Sequence, residues 1–270
     1  MTSPAGLTGP AGMTGPPAGR GQAMKWLVDC QAVALPAQPA RPPVCRPAAA
    51  RPDAPVKEND EPLVPLAGAV ATCPVYSWLG FRHGPGPLRL RAGVVSRLQR
   101  ASRQLPPDFE IVVIDAHRTR AFQAELLAYY QAAAHALPPR PAGRGPAGRG
   151  PAGPLDGPPA GTLGGYVADP WSDEPVPPHT TGGAVDLTLG WRGAALGLGT
   201  DFDAFVPQAA PAALEHPGGG PARDLRRLLA AVLRDEGMTV LPTEWWHWSY
   251  GDQHWAAAAG EPAAHYGECS

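Results

Sequence analysis

The sequence predicts an α+β fold: a small, mostly antiparallel sheet with helices packed on it. Three observations carry that expectation. Apolar residues recur at helical spacing in three segments and as short β-branched runs in others. Only one long crossover of the βαβ kind fits between the strands. The residues that break regular structure, 33 Gly and 36 Pro among 270, gather in blocks that leave an ordinary globular pattern between and after them.

The first block opens the chain. Residues 1–62 are dominated by Pro, Ala and Gly and are expected to be largely disordered; Gly6, Gly9, Gly12 and Gly15 keep a spacing of three for too few triplets to make a collagen helix. The folded domain is expected over 63–270, with a low-complexity insert at 138–165 whose repeated PAGRG reads as a flexible, weakly basic linker.

Within the domain, Val94, Val95, Leu98, Ala101 and Leu105 predict an amphipathic helix over 91–105 with Arg97, Arg100 and Arg103 outward. FEIVVI at 109–114, bounded by two prolines and a polar turn, predicts a buried strand. Helix returns over 119–136 on Phe122, Leu126, Tyr129 and Ala133, and a strand is expected over 184–189. Residues 221–236 predict a helix that starts with Pro near its first turn, ends at Gly237, and places Arg226 and Arg227 on its polar face. Two strands, 238–241 and 245–250, follow on either side of Pro242.

Charge and composition narrow the function. With 22 basic and 24 acidic residues the net charge is −2, so there is no basic field to hold nucleic acid. No apolar run approaches a membrane span, and eight Trp with 44% hydrophobic residues exclude a wholly disordered chain. The first 22 residues contain no signal-peptide core, and the stretch after Met24 makes only a poor one, so a cytoplasmic location is expected. Cys30, Cys45, Cys73 and Cys269 lack the spacings of a structural zinc site; four reduced thiols are expected, with a Cys30–Cys45 bridge as the alternative.

Three places put ionisable residues where strands meet turns: Asp115 to Arg118, His179 to Asp186, and Glu244 to Trp248. A hydrolytic zinc centre needs three His or carboxylate ligands, an open position for water and a carboxylate base that is not a ligand. His179, Asp186 and His247 supply such a ligand set for one Zn(2+) per chain, and Glu244 supplies the base. Gly182 and Gly183 can fold a loop histidine back over the strand that bears Asp186. Ala184, Asp186 and Thr188 share one face of that strand, and Val185, Leu187 and Leu189 point to core. Glu244 and His247 are three apart and would oppose each other on a regular strand, so Glu244 is expected at a bend or bulge, with Trp245, Trp246 and Trp248 framing the site. Low dielectric there should raise the proton affinity of Glu244. The remaining histidines, His83, His135, His216, His254 and His265, fall in turns, helix ends and loops; His117 stands beside the site or at the surface.

HTTGGAVDLTL and EWWHW together resemble the S-x-H-x-x-G-x-A-x-D and E-x-W-H signatures of zinc D-alanyl-D-alanine peptidases. LGTDFD at 198–203 and DLTL after Asp186 resemble the D-alanyl-D-alanine dipeptidase branch, the VanX-type enzymes of vancomycin resistance and their relatives, over roughly residues 63–255. The resemblance implies a zinc site at one end of the sheet and a small dipeptide as substrate. It implies that Arg118 stabilises the oxyanion and that Asp203 receives the substrate's free amino group; Asp115, three residues before Arg118, is read as orienting that arginine and not as binding metal. Two departures are visible: Pro177 stands where the family has Ser, and Thr119 where it has Pro. Two other readings stay open, a D,D-carboxypeptidase acting on cell-wall stem peptides and a non-catalytic zinc-binding interaction module.

Overall fold

A computed structural model describes residues 26–45, 52–136 and 167–269; the 138–165 insert lies outside them. The fold is α+β. Its elements in chain order are β1 (Val28–Asp29), β2 (Leu63–Pro65), β3 (Ala71–Thr72), β4 (Arg89–Arg91), α1 (Ala92–Arg103), β5 (Phe109–Asp115), α2 (Arg120–Ala136), β6 (Ala184–Trp191), β7 (Ala194–Gly197), α3 (Gly220–Asp235), β8 (Thr239–Val240), β9 (His247–Ser249) and α4 (Gln253–Ala259).

β6 is the axis of the main sheet. It pairs antiparallel with β5 along its length on one side. On the other side β9 takes its first three residues and β7 its last two, both antiparallel. β1 joins β7 and β3 joins β5 in parallel, so the sheet is mixed, and a separate antiparallel pair is made by β2 and β4. All eight residues of β6 are buried. The strand is therefore covered on both faces, which is why its DLTLGW run is more apolar than a half-exposed strand requires. α1 and α3 pack on each other and against β5 and β6, α1 through Val94, Val95 and Leu98 and α3 through Leu225, Leu228, Leu229 and Val232, all buried.

Two expectations need correction. Part of the supposedly disordered 1–62 segment is built into the fold: β1 adds to the sheet, Trp26, Leu27, Cys30 and Val44 are buried, and the backbone N–H groups of Trp26 and Leu27 donate to the Asp201 carboxylate at 2.8 and 3.0 Å. Four scattered apolar residues among prolines carry no periodic signal, yet they dock where the sheet offers a free edge and a carboxylate acceptor. Arg226 is not on a polar face either. It is buried, and its guanidinium donates to the carbonyls of Leu198, Ala210 and Gln208 at 2.8, 2.8 and 2.9 Å. Burial pushes its proton affinity down, to a pKa of about 9. The loop it ties down has no ladder of its own, so an arginine inside the helix supplies the donors. All four cysteines are free thiols, Cys30 and Cys73 among them buried.

Candidate active site

The site grows from one cross-strand row. Asp115 at the end of β5 pairs with Asp186 on β6, and Asp186 pairs with His247 at the start of β9. Paired residues on neighbouring strands project to the same face, so two carboxylates and an imidazole stand side by side. A register shift in β5 between Val113 and Asp115 aims Asp115 into this row.

His179 comes to the row from outside the sheet. It lies in a 3₁₀ turn, Pro178–Thr181, closed by Gly182 at φ +69°. A Cβ on Gly182 would stand 2.5 Å from Leu63, and one on Gly183 would stand 2.6 Å from the Tyr250 carbonyl, so both positions require glycine, as the loop reading expects. The His179 ring donates its Nδ1–H to the Ala116 carbonyl at 2.7 Å, which leaves Nε2 as a lone pair facing the row.

Glu244 occupies the bend expected of it. The loop between β8 and β9 is closed by Leu241 N–H donating to the His247 carbonyl at 3.0 Å, and Glu244 sits three residues before β9 begins. It is buried, and Oε1 has no hydrogen-bond partner among the described residues. Burial, with Asp186 and Asp203 nearby, holds its proton affinity well above the usual carboxylate range.

Arg118 and Asp203 complete the set. Arg118 leaves β5 and donates from Nε to Asp115 at 2.5 Å, from Nη1 to Gln123 at 3.0 Å and from Nη2 to Asp186 Oδ2 at 3.0 Å. Burial opposes its charge, but Asp115, Tyr76 and Asp186 outweigh that and hold it firmly protonated. Asp203, in the left-handed region at φ +55°, accepts hydrogen bonds from the Tyr76 and Tyr130 hydroxyls. Burial and the field of Asp186 raise its pKa to about 7, with the two hydroxyls opposing. Thr119 caps α2 by accepting the Phe122 N–H at 3.2 Å, so the residue that departs from the family pattern still sets the helix start.

His179 Nε2, Asp186 and His247 Nδ1 converge. His179 Nε2 stands 3.3 Å from Asp186 Oδ2 and 3.3 Å from His247 Nδ1, and His247 Nδ1 stands 3.1 Å from Asp186 Oδ1. Oδ1 nevertheless has no hydrogen bond among the described residues, which leaves it available, with the two imidazole nitrogens, to a shared ion. Ligand atoms ~2.0–2.1 Å from one ion at tetrahedral angles stand roughly 3.3–3.4 Å apart, and the three residues fit that demand. Burial lowers the proton affinity of His247, while the two imidazoles outweigh burial at Asp186 and keep it ionised. Both shifts leave the lone pairs available to a cation.

These six side chains, Arg118, His179, Asp186, Asp203, Glu244 and His247, line one cavity of about 320 Å³. The three tryptophans expected to frame it do not line it. They are core, with Trp245 Nε1 donating to Thr200 at 2.8 Å, and the apolar wall comes from Leu126, Val167, Phe205 and Leu241. Sequence reasoning missed six polar lining residues, Tyr76, Gln123, Tyr130, Asp169, Ser172 and His254. The tyrosines lie in a short 3₁₀ turn and on α2, where nothing but the buried aspartate they serve distinguishes them from core aromatics. His254 lies in α4 and not in a loop.

Fold and site together define a class of centre: three convergent donor atoms able to hold one ion, with a buried carboxylate, one oxygen of it without a partner among the described residues, beside them in a cavity on an α+β scaffold. A family model described as D-ala-D-ala dipeptidase matches residues 168–263, which carry all three donors and Glu244. A D-alanyl-D-alanine dipeptidase of Synechocystis sp. is 30% identical over 232 residues, spanning 75% of this chain and 87% of that protein. The chain belongs to the D-alanyl-D-alanine dipeptidase family and is a peptidase. No helix among the described residues is long and apolar enough to cross a membrane.

Proposed function

We propose that this chain is a zinc-dependent dipeptidase that hydrolyses D-alanyl-D-alanine, or a closely similar dipeptide, to free amino acids. The observation that carries the reading is the meeting of His179 Nε2, Asp186 and His247 Nδ1 within 3.1–3.3 Å of one another, in a cavity that also holds the buried Glu244 carboxylate and a buried arginine. One zinc ion on these three residues would acidify the attacking water and polarise the scissile carbonyl.

The chain's own residues do the rest. Glu244, with a proton affinity raised by burial, takes the proton from the attacking water and passes it to the leaving amine. Arg118 is fixed by Asp115, Gln123 and Asp186 through one N–H on each of its nitrogens, and its two remaining N–H donors face the charge that develops on the carbonyl oxygen. Asp203 pairs with the free ammonium of the dipeptide, and its Tyr76 and Tyr130 hydrogen bonds fix the carboxylate in place. A peptide blocked at its amino end leaves that carboxylate buried without a counter-charge, which selects for free dipeptides.

The test is amino-acid release from D-Ala-D-Ala by zinc-loaded protein, with the N-acetylated dipeptide alongside. Cleavage of the free dipeptide alone is expected. Cleavage of the blocked form at equal rate makes the enzyme a carboxypeptidase, and bound zinc without cleavage of either makes it a non-catalytic module or the hydrolase of another substrate.

A further inference from the structure

A free dipeptide has two charged ends, and the proposal above assigns only the ammonium. The cavity must also hold a carboxylate, although Asp169, Asp186, Asp203 and Glu244 all line it and repel one. Of the basic side chains that line it, His179 and His247 belong to the donor triad, and Arg118 shares its charge between Asp115 and Asp186. The fourth is His254. Its imidazole is partly exposed and has no hydrogen-bond, ion-pair or ring partner among the described residues.

The neighbouring rim cannot do the work. Pro175, Pro177 and Pro178 have no N–H, and the N–H of Val176 is already given to Gln253 Oε1 at 2.8 Å. That bond also ties the rim to α4, one residue from His254, so the histidine and the donor-poor rim are held on the same side of the cavity.

Resting on the dipeptidase reading, we infer that His254 is a specificity-determining residue whose imidazole N–H receives the terminal carboxylate of the substrate. It supplies there the donor that Pro177 and its neighbours lack. The residue acts on binding: it sets which end of a peptide is held, and it has no part in the proton transfers at the scissile bond.

The experiment uses zinc-loaded protein carrying Glu244→Gln, which halts turnover, and measures calorimetric binding of D-Ala-D-Ala and of its C-terminal carboxamide. His254→Ala in that background is expected to weaken binding of the dipeptide about 10- to 100-fold, the range for a hydrogen bond to a charged group. Binding of the carboxamide should change by less than about threefold, and His254→Gln, which keeps an N–H donor, should recover part of the loss. In the protein with Glu244 intact, His254→Ala should raise KM for the dipeptide and leave kcat nearly unchanged. Equal loss for both ligands, or no loss for either, overturns the assignment. If the protein with His254 intact neither binds nor cleaves the dipeptide, the dipeptidase reading itself fails and this assignment falls with it.

Discussion

Asp203→Asn trades stability against selectivity, and the structure sets the size of the trade. In the metal-free protein burial raises the Asp203 pKa from 3.8 to about 7, a shift of about 3 units worth about 4 kcal/mol. The folded state binds this proton more tightly than the unfolded chain. The stabilising contribution of the acid form is therefore full below pH ~4, falls as pH rises, and is gone above pH ~7. Asparagine has no proton to lose and can still accept from both tyrosine hydroxyls. In chelator, urea unfolding should show the Asn variant more stable than the parent by up to about 4 kcal/mol at pH 8, with the gap closing toward pH 4. The zinc-loaded variant should meanwhile lose about 10-fold or more of its preference for the free over the N-acetylated dipeptide, the cost of an ammonium without its carboxylate. A stability gap that does not change with pH, or one that favours the parent at pH 8, refutes the reasoning.

Three more perturbations separate chemistry from scaffold. Glu244→Gln should lower kcat about 10²- to 10⁴-fold, with the zinc content by atomic absorption still one per chain; loss of the metal instead would make Glu244 a ligand. Arg226→Met removes the donors of the Leu198, Gln208 and Ala210 carbonyls and should cost about 3–5 kcal/mol by urea unfolding, with a weakened preference at Asp203, whose loop those carbonyls bracket. Gly182→Ala forces a Cβ into the left-handed region and against Leu63; a loss of about 1–3 kcal/mol in thermal unfolding is expected, with weaker zinc retention in a chelator competition because His179 is three residues away.

Much of the site was legible because its chemistry is local. The His179 turn, the strand of Asp186 and the bend at Glu244 each announce themselves over fewer than ten residues, and glycines, a strand period and a broken period fix where each side chain points. What could not be read were relations across the chain. Tyr76 and Tyr130 reach Asp203 from 127 and 73 residues away, and Arg226 reaches Leu198 from 28. A tyrosine or arginine on an amphipathic segment carries no mark that says whether its polar tip meets water or a buried partner. The tryptophans misled for the related reason that proximity in sequence to Glu244 and His247 does not make a residue face the cavity: Trp245 turns to Thr200. The parallel pairings of β1 and β3 depend on segments too short to show any period.

The clamp of Trp26 and Leu27 on Asp201 bears on where this enzyme can be cut. Asp201 stands two residues before Asp203, and the loop between them, Phe202 included, is buried. A boundary drawn from composition, at residue 63, would strip two donors from that carboxylate and a strand from the edge of the sheet, although His179, Asp186, His247 and Glu244 would all remain. Such a trimmed protein should still take up zinc but discriminate poorly at the amino end of its substrate. A chain begun at Met24 keeps the whole clamp, which makes that methionine, and not the edge of the proline-rich stretch, the natural limit for truncation.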